Sequence, residues 1–164
     1  MALFEKFGEM DSAQEIQAAA EGLLNEGDME SLKALAKENG FDEDDVEDWE
    51  DFGVVITPAQ AAVGKLMIEE DDLKFPKDIL FTDWVDYIKK MSLEDETIAV
   101  AVRKKDKSLA ECIGKVMEEA FANQYEVPDK IKKGTKVKAG RVTFGVPSET
   151  SVRKIIRGYY GGQA

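Results

Sequence analysis

Hydrophobic residues recur every three or four positions along most of this chain, the spacing that places them on one face of an α-helix. The stretch 13–25 is typical, because Ile16, Ala20 and Leu24 fall on one side of a helix there. Similar patterns cover 29–39, 42–51, 57–68, 78–91, 92–103, 108–121 and 148–160, of which 42–51 is either a short helix or an ordered acidic turn. We therefore predict a mainly α (α+β) fold of about seven short helices.

Capping residues stand at most of the predicted helix starts. Ser12 and Glu15 form a predicted capping box, in which the hydroxyl accepts from a free amide and the carboxylate reaches back to the cap. Thr57 is followed by Pro58 at a first helical position, where the missing N–H of proline costs nothing. Further starts are predicted at Asp28, at Ser92 with Asp95, and at Ser108, which begins the helix expected to be longest.

The helical patterns also predict which side chains face the interior. Val46, Trp49 and Phe52 should anchor the segment 42–51, whereas residues 69–77 look like a loop. The helix after Thr57 should bury Ala61, Ala62, Leu66 and Met67, and the helix after Ser108 should bury Leu109, Cys112, Ile113, Val116, Ala120 and Phe121.

Near the C-terminus the spacing changes from helical to alternating. Val142, Phe144 and Val146 alternate with other residues, which is typical of a β-strand. We predict a strand or a short hairpin within 136–146, before the last helix.

Length and composition indicate a globular protein. With 164 residues, 43% hydrophobic and 34% charged, the chain is long enough to bury a core without a disulfide or a metal. We predict either an acidic helical N-terminal lobe over 1–75 and a helical C-terminal lobe with a basic tail over 76–164, or one compact domain.

Membrane association and disulfide bonding are not expected. No apolar run reaches the roughly 18 residues that a membrane-spanning helix needs, and the N-terminus has no signal-peptide core. Cys112 is the only cysteine, so no intramolecular disulfide can form. These features together predict a cytoplasmic protein.

Charge changes this picture, because it is divided unequally along the chain. Residues 1–96 carry 27 acidic and 8 basic side chains, a net of −19, whereas residues 97–164 carry 14 basic and 7 acidic side chains, a net of +7. The two parts should therefore meet different electrostatic partners, or each other.

The densest acidic stretch is the first candidate site. Nine of the fourteen residues in 38–51 are carboxylates and none is basic. We name as the acidic surface Asp42, Glu43, Asp44, Asp45, Glu47, Asp48, Glu50 and Asp51.

Three interpretations of the acidic surface stay open: a solvated helix face, a mimic of a nucleic-acid backbone that occupies a cationic channel, and loose cation binding. An EF-hand is excluded, because a loop counted from Asp42 has Glu47 where the motif needs glycine.

The basic residues of the C-terminal part are the second candidate. Tyr125, Phe144, Tyr159 and Tyr160 lie among them, so phosphate contact and base stacking are one interpretation, and internal neutralisation of the acidic part is the other. We name as the basic set Arg103, Lys104, Lys105, Lys132, Lys133, Arg153, Lys154 and Arg157.

Enzymatic chemistry is disfavoured. The chain has no histidine, the commonest general base and metal ligand, and Cys112 lies on a predicted apolar helix face, as a structural thiol does. Glycine-rich phosphate loops are absent from the sequence as well. We predict no catalytic residue, no cofactor and no metal.

One stretch resembles a known family. The helix start Lys107-Ser108-Leu109-Ala110-Glu111-Cys112-Ile113, followed by a terminal helix over 152–160 that closes on Tyr159-Tyr160, is similar to PcfK-like proteins of conjugative plasmids and integrative elements. The resemblance covers about residues 100–160, and residues 7–13 with the helices that follow also look like small proteins of such elements.

That resemblance implies two competing functions. One is an anti-CRISPR protein that inhibits a Cas nuclease by binding the effector or its guide RNA complex. The alternative is a DNA-handling accessory of conjugative transfer or plasmid maintenance, which would contact nucleic acid through the basic set. A homo-oligomeric adaptor that uses an apolar face around Trp84 and Tyr87 is the third interpretation.

Overall fold

The computed structural model describes residues 3–76, 79–136, 138 and 140–161. Within these ranges the protein is mainly helical with one small antiparallel hairpin, which confirms the predicted fold class. The elements are α1 (Ala13–Glu26), α2 (Met29–Glu38), α3 (Glu43–Phe52), α4 (Pro58–Leu73), α5 (Leu80–Glu94), α6 (Glu96–Arg103), α7 (Leu109–Ala122), β1 (Tyr125–Glu126), α8 (Asp129–Lys133), β2 (Thr143–Phe144) and α9 (Glu149–Gly161).

Parts of the predictions fall on residues outside those ranges, among them Lys77 at the end of the predicted loop. Asp78 is the predicted start of the fifth helix, and Val137 and Ala139 belong to the predicted strand region. Among the described residues, no helix combines the length and the apolar character needed to cross a membrane.

Local capping begins most helices, as predicted. The Ser12 hydroxyl accepts from the Glu15 N–H at 3.2 Å, and Asp28, Thr57 and Ser108 act in the same way at α2, α4 and α7. The Glu15 carboxylate, however, accepts from the N–H of Asp11 at 2.7 Å instead of reaching the cap residue itself.

The predicted cap at Ser92 is wrong. Ser92 is buried inside α5, where its hydroxyl donates to the Ile88 carbonyl at 2.9 Å. Asp95 caps α6 instead and accepts from the Thr97 N–H at 3.0 Å. A serine hydroxyl that bonds back into its own helix is unavailable to start the next one.

The buried hydrophobic residues form two clusters that meet along α4. The first cluster lies among α1, α2, α3 and the segment after α3, and the second lies among α4, α5, α6, α7 and α9. Helix α4 places Ala61 in the first cluster and Ala62 with Leu66 in the second. The division into lobes at residue 75 stays a prediction, and α4 is the element that joins the two clusters.

The end of α2 touches α4 through backbone atoms. Gly40 has a left-handed φ of 78°, and a Cβ there would overlap the backbone of Gly64. In the opposite direction, a Cβ on Gly64 would overlap the Asn39 carbonyl. Only glycine allows this approach, so the contact depends on both residues.

The predicted interior is wrong at three helix edges. Phe52, Met67 and Phe121 are exposed, because the buried residues of their helices occupy a narrower face than the sequence pattern suggested. The predicted loop at 69–77 is also wrong in its first half, since α4 continues to Leu73 and buries Glu69. Helix α4, with 16 residues, is longer than α7, with 14.

The hairpin differs from the predicted strand in its partner. Strand β2 pairs with β1, which precedes the lysine-rich stretch, so that Tyr125 lies opposite Phe144 and Glu126 opposite Thr143. We call residues 121–147 the hairpin segment. None of its described residues is buried, so it stands outside both hydrophobic clusters.

Candidate functional site

The acidic surface lies on α3 and its cap. Asp42 and Asp45 form a reciprocal capping box, in which each carboxylate accepts from the other's N–H at 2.9–3.0 Å. Val46 and Trp49, three positions apart, turn into the first cluster, where the Trp49 ring meets Phe41 edge-on at 5.2 Å. This inner face fixes the rotation of α3, and the carboxylates therefore point outward.

The carboxylates of the acidic surface have no cationic partner among the described residues. Seven of the eight are exposed and Asp45 is half-buried. None forms an ion pair with a residue that the structure describes. Glu50 and Asp51 also lie in the last turn of α3, where the helix dipole is negative and further negative charge is unfavourable. Glu50 and Asp51 therefore do not serve the stability of the helix.

Two hydrophobic side chains lie beside the acidic surface in solvent. Phe52, at the end of α3, is 83% exposed, and Val55 is 68% exposed. Between and beyond them, Val54 and Ile56 are buried, since the extended chain after Gly53 alternates its side chains. The protein therefore presents carboxylates and two unburied apolar groups together.

Arg103 does not belong to a basic surface, contrary to the prediction. It is 1% exposed and lies between the two clusters. Its Nε donates to the Met10 carbonyl at 2.8 Å, Nη2 donates to Asn39 Oδ1, and Nη1 has no hydrogen-bond partner among the described residues. Burial lowers the pKa of the guanidinium to about 10, while the Glu9 and Glu69 carboxylates oppose this shift.

Four other members of the basic set are held in ion pairs. The Lys104 hydrogen bond lowers the pKa of Asp11, and Arg153 also covers the Tyr87 ring at 5.1 Å. The pairs are Lys104–Asp11 at 2.8 Å, Lys132–Asp129 at 2.7 Å, Arg153–Glu149 at 2.8 Å and Arg157–Asp95 at 3.1 Å. Within the described residues, the exposed members without an ion pair are Lys105, Lys133 and Lys154.

The aromatic residues of the C-terminal part also divide into a buried pair and an exposed pair. Tyr159 and Tyr160 are buried, and the Tyr159 hydroxyl accepts from the Ser108 N–H and donates to Glu111. Burial and the Glu111 carboxylate raise the pKa of Tyr159 to about 12. Only Tyr125 and Phe144 of the predicted stacking residues are exposed, at 56% and 50%.

Trp84 does not form an exposed apolar face with Tyr87. It is buried in the second cluster, where its ring lies 5.4 Å from that of Phe81, and Tyr87 is partly buried against the same cluster.

Sequence reasoning missed a buried lysine between the two clusters. Lys65 is fully buried, and its ammonium donates to Glu9 at 2.6 Å and to the carbonyls of Lys104 and Lys107 at 2.8 and 2.9 Å. These three acceptors match the three donors of a charged lysine. The contacts join the N-terminal segment, α4 and the turn between α6 and α7.

Glu69, one turn further along α4, is also buried. Its carboxylate accepts from the Leu109 N–H at 3.0 Å, and burial raises its pKa while the nearby Lys65 opposes the rise. The signal that could have located both residues is their position, since they continue the inward-facing row of Ala61, Ala62 and Leu66.

Cys112 is buried, as its position on the apolar face predicted. Burial raises the pKa of its thiol to about 12, so the sulfur is protonated at neutral pH. Among the residues that the structure describes, no three histidine, cysteine, aspartate or glutamate side chains are grouped so that they could hold a metal ion.

No protein-family model, no curated protein and no solved structure matches this chain. The interpretation of the two candidate surfaces therefore depends on their geometry alone.

Proposed function

We propose that this protein inhibits a nucleic-acid-binding partner protein by placing its acidic surface in the partner's cationic groove. A Cas nuclease with its guide RNA is the partner that the resemblance to mobile-element proteins implies, which makes the protein a non-enzymatic anti-CRISPR protein. The observation that carries the proposal is the density of charge on α3 that no described residue pairs.

The spacing of that charge is close to the spacing in DNA. Helix α3 has 10 residues, which span about 15 Å at the usual helical rise. The seven carboxylates within that length give roughly one charge per 2 Å, and double-stranded DNA carries about one per 1.7 Å of its axis. A groove that neutralises phosphates by displacing their counterions can neutralise this helix in the same way.

Phe52 and Val55 supply apolar contact area, which the carboxylates alone do not. Exposed apolar side chains at the centre of an interface contribute a large part of its binding energy, whereas exposed ion pairs contribute little each. Carboxylates beside an exposed aromatic ring therefore fit a protein groove better than they fit bare nucleic acid, which would repel them.

The test is a DNA-cleavage assay with a purified Cas nuclease–guide RNA complex and increasing amounts of this protein. The informative variant neutralises Asp44, Glu47, Asp48, Glu50 and Asp51 as amides and leaves the capping pair Asp42 and Asp45 in place, so that α3 still forms. We expect the native protein to inhibit cleavage and this variant to lose inhibition.

A matched control separates the acidic surface from net charge. It neutralises five exposed carboxylates elsewhere that form no ion pair with a described residue: Glu26, Asp71, Asp72, Asp83 and Glu118. The control should inhibit like the native protein. Equal inhibition by both variants would contradict backbone mimicry, and no inhibition by the native protein would contradict the inhibitor proposal itself.

The alternative, a DNA-handling accessory of conjugative transfer or plasmid maintenance, stays a prediction. Burial of Arg103 and the ion pairs of four other cations narrow its predicted contact residues to Lys105, Lys133 and Lys154.

A further inference from the structure

We infer that the hairpin segment binds single-stranded nucleic acid, with Tyr125 and Phe144 stacking on bases and Lys130, Lys133 and Lys136 contacting phosphates. This inference does not rest on the acidic surface or on the proposed inhibition. It rests on the exposure, pairing and charge of this segment.

The two aromatic rings share one face of the hairpin. Tyr125 and Phe144 are directly opposite each other in the antiparallel pair, so their side chains project on the same side, with ring centroids 6.1 Å apart. Glu126 and Thr143, the next pair, project on the other side. Each ring is about half exposed, so the aromatic face is available to a ligand.

The lysines lie in the chain between the two strands. Lys130 and Lys133 are on α8 and Lys136 follows it, and all three are exposed. No ion pair to a described residue holds any of them, whereas Lys132 on the same helix is paired with Asp129. The hairpin segment carries six basic and two acidic residues in a chain of net charge −12, so it attracts anions locally against the average of the molecule.

The exposed rings and lysines also contribute little to the stability of the hairpin segment. A two-stranded hairpin is marginal in water by itself, and this one buries no described side chain. It is closed by local contacts instead: the Val127 N–H donates to the Val142 carbonyl at 2.8 Å, and the Thr143 hydroxyl donates to Gln124 at 3.0 Å.

Exposed aromatic rings in the same segment as ammonium groups that no described residue pairs favour a single strand over a duplex. Bases in a single strand offer their faces for stacking, while a duplex keeps those faces covered and offers only phosphates. An acidic protein segment could neutralise the lysines, but it would leave the two rings without planar partners. Single-stranded nucleic acid uses both kinds of group.

The test is fluorescence anisotropy with a labelled oligothymidylate of about 12 nucleotides and a duplex of equal length, at about 50 and 200 mM salt. We expect the single strand to bind more tightly than the duplex. Three phosphate contacts at a slope of about −0.7 each predict a loss of about 20-fold in affinity between the two salt concentrations.

Two variants and two matched controls assign the site. Tyr125→Ala with Phe144→Ala should weaken binding about tenfold or more, and Phe52→Ala, which removes an exposed ring elsewhere, should not. Changing Lys130, Lys133 and Lys136 to Gln should remove most of the salt dependence. The control changes Lys33, Lys37 and Lys115, which are also exposed, and should keep it.

Several results would overturn the inference. They are equal binding of duplex and single strand, equal loss in a variant and its control, and no binding at the lower salt concentration. Tighter binding of a polyglutamate peptide than of the oligonucleotide would also overturn it, in favour of an acidic protein partner. Circular dichroism of each variant verifies that the helices are intact.

Discussion

The acidic surface and the hairpin segment both expose charge and aromatic rings, but the fold supports them differently. Helix α3 rests on a buried face, where Val46 and Trp49 fill the first cluster. The described residues of the hairpin segment form no such face, and its strands hold each other through a few local hydrogen bonds. The acidic surface is therefore fixed by the hydrophobic core, whereas the hairpin segment lies outside that core.

This difference separates two ways of presenting a binding surface. A helix fixed by its core loses little conformational entropy on binding, which suits a rigid groove. A segment with few buried contacts can open or shift at little cost to the rest of the protein, which suits a flexible strand. We therefore expect the two regions to be coupled to the fold as differently as their burial indicates.

Removal of one large side chain from each region should give the largest contrast. Trp49→Ala should lower the free energy of unfolding by about 3–5 kcal/mol, because it leaves a cavity beneath α3. Tyr125→Ala should lower it by about 0.5 kcal/mol, because about half of the side chain is in solvent and the rest lies outside the two clusters. Urea denaturation followed by circular dichroism measures both. Similar losses would mean that the hairpin belongs to the same cooperative unit.

Neutralising the end of α3 should raise stability. Glu47 repels Glu43 and Asp51 one turn away, and Glu50 and Asp51 oppose the helix dipole. Changing Glu47, Glu50 and Asp51 to their amides should therefore add about 0.5–1 kcal/mol at low salt, and less at high salt. The reference is the amide variant of Glu43 and Asp44 in the first turn, where the dipole favours negative charge, and it should gain nothing. Equal gains in both variants would contradict the dipole argument.

Gly145→Ala should have a smaller effect on global stability, because the change is confined to the hairpin segment. A Cβ at Gly145 would overlap the Ala120 carbonyl at the end of α7 and push the segment away from the helix. Trypsin should then cleave at the lysines of the segment several-fold faster, while the free energy of unfolding changes by less than about 1 kcal/mol. Gly140→Ala, where a Cβ meets no atom of the described structure within 4 Å, serves as the control. Unchanged proteolysis would show that the Gly145 contact does not hold the segment.

The helix starts could be predicted because capping is local chemistry. Ser12, Asp28, Thr57 and Ser108 each accept from an amide three residues ahead, so the sequence contains both partners. The exposure of the acidic surface was predictable for a similar reason, since most of eight carboxylates in one short stretch must face solvent wherever the helix lies.

Residues that depend on distant partners were not predictable in this way. Arg103 looks like part of a basic run, but its partners Met10 and Asn39 come from far earlier in the chain. In the sequence, Lys65 interrupts the apolar pattern of α4. Its burial depends on the carbonyls of Lys104 and Lys107, which accept from its ammonium group only in the folded protein. Likewise β1 has no strand pattern of its own and exists through its pairing with β2.

The contact between Gly40 and Gly64 has a consequence for how this sequence can change over time. Neither residue can acquire a side chain without separating α2 from α4, and a change in one is not compensated by a change in the other. The carboxylates of α3 other than the capping residue Asp45 are under no such restriction, because they are exposed and form no ion pair with a described residue. We therefore expect distant relatives to be recognisable by the two glycines together with Lys65 and Arg103, even where the charge of the surface has diverged completely.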